Sequence, residues 1–217
     1  MIEIYPETIN LYFIFLGSFI TSSTICFIQD NYYNYEYIQN TIFKSEIIII
    51  YKKTLPLVCF NCFVSVPISL IISQNLFFIL SPFNYYQVYH IPLFFILIDF
   101  TFFMFHKLFH TSKYLNLYKY HKIHHQIKRP VSITSLYLHP VDLFFGNILP
   151  LFLPVFILRS SMPLLYFWTA FTIFETTYFS HSGIKNRGEN HDLHHLLFNV
   201  NYGSALYISD RLAGTYM

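Results

Sequence analysis

The feature that most constrains this chain is a series of apolar runs of membrane-crossing length. The first, INLYFIFLGSFITSSTICFI over 9–28, has about the 20 residues that a helix needs to cross ~30 Å of hydrocarbon. A second runs from Leu55 to Ser73 with Pro67 inside it, and a third from Val88 to Phe105. Leu143 to Leu158, with Pro150 and Pro154, and Met162 to Ser180 are joined by the tight RSSMP, which predicts a hairpin that crosses the bilayer or dips into it. Backbone amides in hydrocarbon must be satisfied within their own segment, and membrane helices tolerate proline. The expectation is therefore an all-α integral membrane protein with four to five apolar helical segments. No basic stretch precedes the first run, so a cleaved signal peptide is not expected.

Only 11% of residues are charged, against about 25% in soluble domains. A net charge of +2, with Lys and Arg placed next to apolar runs, argues against nucleic-acid binding and reports topology instead. The first ten residues and 74–87 hold no Lys or Arg, 29–54 holds Lys44, Lys52 and Lys53, and 106–129 holds six basic residues. This predicts a lumenal N-terminus, with 106–142 and 181–217 cytosolic and Arg159 alone on the far side. The basic group over 107–129 is expected to contact headgroups. Cys26, Cys59 and Cys62 lie in apolar runs and are expected to be small buried hydrophobes, with no disulfide framework.

Histidine is the outlier: ten of eleven fall between His106 and His195. HKLFH gives His106 and His110, HKIHH gives His121, His124 and His125, and HDLHH gives His191, His194 and His195. His139 and His181 stand alone, and His90 is expected to be an ordinary interfacial residue. On helices, residues at i, i+3 and i+4 share one face, so each group is expected to aim its imidazoles at one point. Imidazole is the commonest nitrogen ligand for iron, copper and zinc, and this many exceed the needs of one ion. Desolvating so many rings without a partner would cost several kcal/mol. A structural zinc site uses about four ligands and explains too few of them. A di-metal site under a cytosolic His-rich helical cap is expected, with Asp99, Asp142, Glu175, Glu189 and Asp192 as candidates to orient ring N–H groups.

The ordered motifs H-x3-H, H-x2-HH and H-x2-HH resemble the fatty acid hydroxylase superfamily, the membrane non-haem di-iron enzymes that include sterol C4-methyl oxidases, sterol desaturases and sphinganine hydroxylases. IDFTFFMFH, LYKYHKIHH, LYLHPVD and DRLAGTYM extend the likeness over roughly 90–217. The resemblance implies two iron ions held by the eight motif histidines, with His139 and His181 at positions where the family also places histidine. It implies O2 as co-substrate, oxidation of an unactivated C–H bond of a lipid or sterol, and electrons from cytochrome b5 and its reductase. The implied location is the endoplasmic reticulum membrane, multi-pass. Residues 1–89 are read as N-terminal transmembrane helices and 90–217 as the di-iron region, one domain overall. FSHSG and HHLLFNVNYG look closest to the sterol branches, and LYLHPVD and GTYM are equally at home in sphinganine C4-hydroxylases. A catalytically silent metal-binding scaffold or lipid sensor is the alternative of another class. Lys107 stands where arginine is common in the family. The chain is short at its N-terminus for the family, so the tunnel is expected to be trimmed or completed by a partner.

Overall fold

The computed structural model describes residues 4–32, 44–77 and 81–217. Residues 1–3, 33–43 and 78–80, which include parts of the segments whose charge set the expected orientation, lie outside the described residues. The described chain is helical, with no strand. Helix α1 spans Pro6–Tyr32, α2 Lys44–Phe60, α3 Val66–Phe77 and α4 His90–Thr111. The short α5, Tyr118–His121, and α6, Pro140–Asp142, precede α7, Leu149–Ile157, and α8, Met162–Glu175. Helices α9, Glu189–Leu197, and α10, Ile208–Ala213, complete the order. Among the described residues, four continuous helical stretches are long and apolar enough to cross a membrane: Pro6–Tyr32, Glu46–Asn75, Tyr85–Thr111 and Pro140–Ile157.

The prolines explain how two of these stretches stay continuous. A π-helical turn, Asn61–Ser65, joins α2 to α3 just before Pro67, and another, Leu143–Ile148, leads into α7 just before Pro150. The wider turn re-routes carbonyls that a proline cannot bond, as π-bulges do in membrane helices. A third, Thr176–Ser180, carries α8 on to His181. The hairpin brings α8 back beside α7, where Trp168 Nε1 donates to the Leu151 carbonyl at 3.0 Å.

Helix α8 lies along α1 and α7 along α4, so both halves of the chain share one apolar core. Phe94 and Phe95 pack on Trp168 with ring centroids 5.1 and 5.3 Å away. At one end of the bundle the Tyr5 amide donates to Gln74 at 3.1 Å. His90 meets Ser160 there at 2.7 Å, the hydrogen-bonded role expected of it. At the other end Arg187 donates to Gln29 at 2.9 Å and Tyr51 meets Ser132 at 2.9 Å. The histidine clusters belong to this second end. Cys26 and Cys62 are buried as expected, whereas Cys59 is exposed on the outer face of α2, and none is in a disulfide.

Candidate metal centre

Nine of the ten expected histidines converge, in two groups. His106, His110, His121, His125 and His194 form the first, and His124, His181, His191 and His195 the second. Within each group the ligand atoms lie within 4.8 Å of one another. Eight of the nine are buried, and His110 is partly so.

The expectation that each motif aims at one point is corrected. In HKIHH, His121 and His125 serve the first group and His124 the second. In HDLHH the assignment is reversed, with His191 and His195 in the second group and His194 in the first. Helix geometry gives the reason, because successive residues are about 100° apart around the axis. An i, i+4 pair can share a target, while the intervening i+3 histidine points elsewhere. Each motif thus feeds both groups, completed by His106 and His110 from α4 on one side and by His181 on the other.

Ring orientation supplies the decisive geometry. Nδ1 of His106, His124, His181, His194 and His195 faces the carbonyls of Tyr202 at 2.7 Å, Tyr137 at 3.3 Å, Thr176 at 2.9 Å, Val200 at 2.7 Å and Ile127 at 3.1 Å. His121 Nδ1 lies 2.8 Å from Asp142 Oδ2. Carbonyls only accept, so those rings carry their proton on Nδ1 and present Nε2 as a bare lone pair. Yet Nε2 atoms face one another at short range: His106 and His121 at 3.1 Å, His121 and His125 at 2.9 Å, His110 and His194 at 3.1 Å. In the second group, His124 to His181 is 3.3 Å, His181 to His191 3.1 Å and His191 to His195 3.2 Å. Lone pairs at that distance repel unless a cation lies between them. With a metal–imidazole bond near 2.1 Å, ligands at right angles would be separated by about 3.0 Å. The donor set therefore fits two metal ions.

Burial, reinforced by neighbouring imidazoles, holds His124, His191 and His195 well below the ordinary histidine range. Burial likewise pushes His181 down to about 4 and His194 to about 3. These rings stay neutral and ready to ligate. With folded pKa values below the unfolded value of about 6.5, the unfolded chain binds more protons as pH falls. Stability of the metal-free protein should therefore be full above about pH 6.5 and decline below it. Thermal unfolding in detergent, from neutral pH to about pH 5, should show the midpoint falling steadily.

Of the acids expected to orient the rings, Asp142 does so. Asp99 is buried, but its Oδ2 accepts from the Ser209 amide at 2.8 Å, capping α10. Glu175 accepts from Ser180 at 2.8 Å, and Glu189 from the Asn186 amide at 3.0 Å. Asp192 is buried on α9 between His191 and His194. His139 falls outside both groups. Pro140 starts α6, and the extended backbone of His139 turns its Nδ1 back to accept from the Val141 amide at 3.1 Å, with its ring 4.6 Å from that of Tyr120.

One positioning residue went unread in the sequence. Asp210, fully buried, accepts from the amides of Tyr202 at 2.9 Å and Gly203 at 2.6 Å and from the Thr215 hydroxyl at 2.6 Å. It thereby fixes the carbonyl that orients His106. Its place in DRLAGT was the available signal. Gly146 matters for Asp142, because a Cβ there would lie 2.4 Å from Asp142 Oδ1. Gly146→Ala should swing that carboxylate off His121 and weaken metal binding at the first group by about 10–100-fold, the usual cost of losing such a partner. Metal titration of the stripped protein measures it.

Residues 91–215 match the family model for fatty acid hydroxylase. The chain belongs to the fatty acid hydroxylase family. Among curated members and relatives, it is similar to fatty acid hydroxylase domain-containing protein 2 of Homo sapiens, 30% identical over 138 residues, which cover 62% of this chain and 40% of that protein. It is 34% identical over 143 residues to a Delta(7)-sterol 5(6)-desaturase of Aspergillus fumigatus, covering 63% and 40%. With methylsterol monooxygenase 1 of Rattus norvegicus it shares 32% over 124 residues, covering 51% and 40%. The match spans about two fifths of the length of these relatives. No solved structure matches the chain. The fatty acid hydroxylase region contains all nine converging histidines, and its relatives are oxidoreductases of lipid hydroxylase or desaturase type.

Proposed function

We propose that this protein is an O2-dependent hydroxylase or oxidase of a membrane lipid, with iron in both histidine groups and a sterol as substrate. The observation that carries this reading is the junction between the two groups and a cavity of about 340 Å³. His106, His121, His124, His181 and His191 line it at one end, and apolar side chains such as Phe95 and Phe171 line it elsewhere. Bound iron would supply O2 reduction and oxidation of a C–H bond. The chain's own residues do the rest. Carbonyls and Asp142 fix six of the nine rings, those of His106, His121, His124, His181, His194 and His195, in one tautomer, and the apolar wall admits a lipid while excluding bulk water. The desaturase and methylsterol monooxygenase relatives support the sterol class.

In this reading 90–217 carries the site and 1–89 packs helices around it, as one domain. Electrons come from outside the chain, from cytochrome b5 and its reductase. The protein resides in the endoplasmic reticulum membrane with the histidines facing the cytosol, an orientation supported by the confinement of Lys and Arg, Arg159 excepted, to segments at the histidine end.

The test is lipid mass spectrometry of a yeast strain deficient in sterol C4 oxidation and carrying this gene, with sphingoid bases profiled in the same extract. Loss of accumulated 4,4-dimethylsterols is expected. Unchanged sterols together with new phytosphingosine would replace the sterol assignment with sphinganine C4-hydroxylation. No change in either would contradict the lipid-oxidase reading in that host.

A further inference from the structure

The cavity is mostly apolar, walled by Phe95, Phe102, Leu151, Trp168 and Phe171. Beyond the histidines and Asp142, one acidic side chain faces it. Glu175 is enclosed by protein yet keeps accessible surface, so that surface belongs to the cavity it lines. Other polar groups along the wall bond to protein: the Ser135 and Thr177 hydroxyls meet at 3.1 Å. The Thr172 hydroxyl donates to the Trp168 carbonyl at 2.8 Å, and the Asn147 amide to the Asp142 carbonyl at 3.3 Å. Glu175 accepts from Ser180 through Oε1 and is also bonded by the Thr176 side chain, and a carboxylate, with about four acceptor sites, has capacity for further partners. A polar group in an apolar chamber is costly to leave short of partners, which favours an occupant that brings one.

Position then constrains the chemistry. Glu175 immediately precedes Thr176, whose carbonyl accepts from His181 Nδ1 at 2.9 Å. The carboxyl and the carbonyl that orients His181 of the second group are thus carried on neighbouring residues. We infer that Glu175 binds the hydroxyl group of the lipid substrate, so that the oxidised carbon lies within a few bonds of that hydroxyl. This rests on the lipid-oxidase reading above and narrows it to a neutral hydroxylated lipid. A fatty acid anion would have to bury a carboxylate in the same apolar chamber, at a desolvation cost that a neutral hydroxyl does not carry.

The chain has a single tryptophan, and Trp168 is in the cavity wall. Its emission therefore reports entry of a ligand without turnover. The full-length, metal-loaded protein is titrated with a 4,4-dimethylsterol and with its 3-deoxy counterpart. The hydroxylated sterol should bind about tenfold tighter, the effect of one hydrogen bond to a charged or strongly polar group. Glu175→Leu should erase that difference by weakening the hydroxylated sterol alone, and Glu175→Gln, which can still bond, should keep most of it. Metal content equal to wild type shows that each variant is folded around its histidines. Equal binding of the two sterols by wild-type protein, or a difference that survives in Glu175→Leu, overturns the inference while leaving the lipid-oxidase reading intact. No emission response to either sterol overturns both the inference and the sterol assignment. If Glu175→Leu fails to fold, Glu175→Ala is read in its place, with the same outcomes.

Discussion

Alanine at His124 and alanine at His125 should each abolish turnover, and should do so by emptying different metal sites. His125 Nε2 lies 2.9 Å from His121, 3.1 Å from His110 and 3.2 Å from His194, at the middle of the first group. His124 Nε2 faces His181 in the second. Two residues adjacent in sequence thus belong to separate groups and would be ligands to separate ions. Each variant should retain about one metal per chain in place of two, and the remaining iron should give a different Mössbauer spectrum in the two cases. Because a centre of this kind shares the work between its ions, loss of either should reduce lipid oxidation to the assay background. Identical spectra from the two variants would mean that the motif feeds a single site, and the split assignment would be wrong.

Asp210→Ala should be the most damaging change outside the histidines. The carboxylate accepts three hydrogen bonds while fully buried, and its removal strands the amides of Tyr202 and Gly203. Each buried donor left unpaired costs about 1–3 kcal/mol. The thermal midpoint in detergent should drop by several degrees. The Tyr202 carbonyl would also lose its fixed position against His106 Nδ1, so affinity at the first group should fall by about 10–100-fold. Asp210→Asn retains an acceptor and should lie between the two. A variant that kept full metal affinity despite a lowered midpoint would show that Asp210 supports the fold without orienting the ligand.

The membrane helices and the nine converging histidines were legible because each rests on a local signal: apolar length for the spans, and a repeated i, i+3, i+4 spacing for the ligands. The division of HKIHH and HDLHH between two groups was not, since it depends on where α4 and His181 stand relative to both motifs. Five of the groups that orient ring N–H atoms are backbone carbonyls, which every residue possesses, so no residue type marks them. Asp142 was readable beside its histidine-rich motif. Asp99 looked equivalent, but the amide of Ser209, 110 positions later, takes its carboxylate. His139 was drawn away by its neighbour, because Pro140 starts a helix and the ring caps it. The runs through Pro67 and Pro150 stay helical, as the tolerance of membrane helices for proline predicts, and the π-helical turns before both prolines, which no residue type marks, are how they do so.

The most direct test of a two-iron centre held almost wholly by imidazole is metal quantification with X-ray absorption spectroscopy on the purified, iron-reconstituted protein. Two irons per chain, with nitrogen-dominated first shells near 2.1 Å and the outer-shell scattering of several imidazole rings each, are expected. One iron or none, or a shell dominated by oxygen or sulfur, would contradict it.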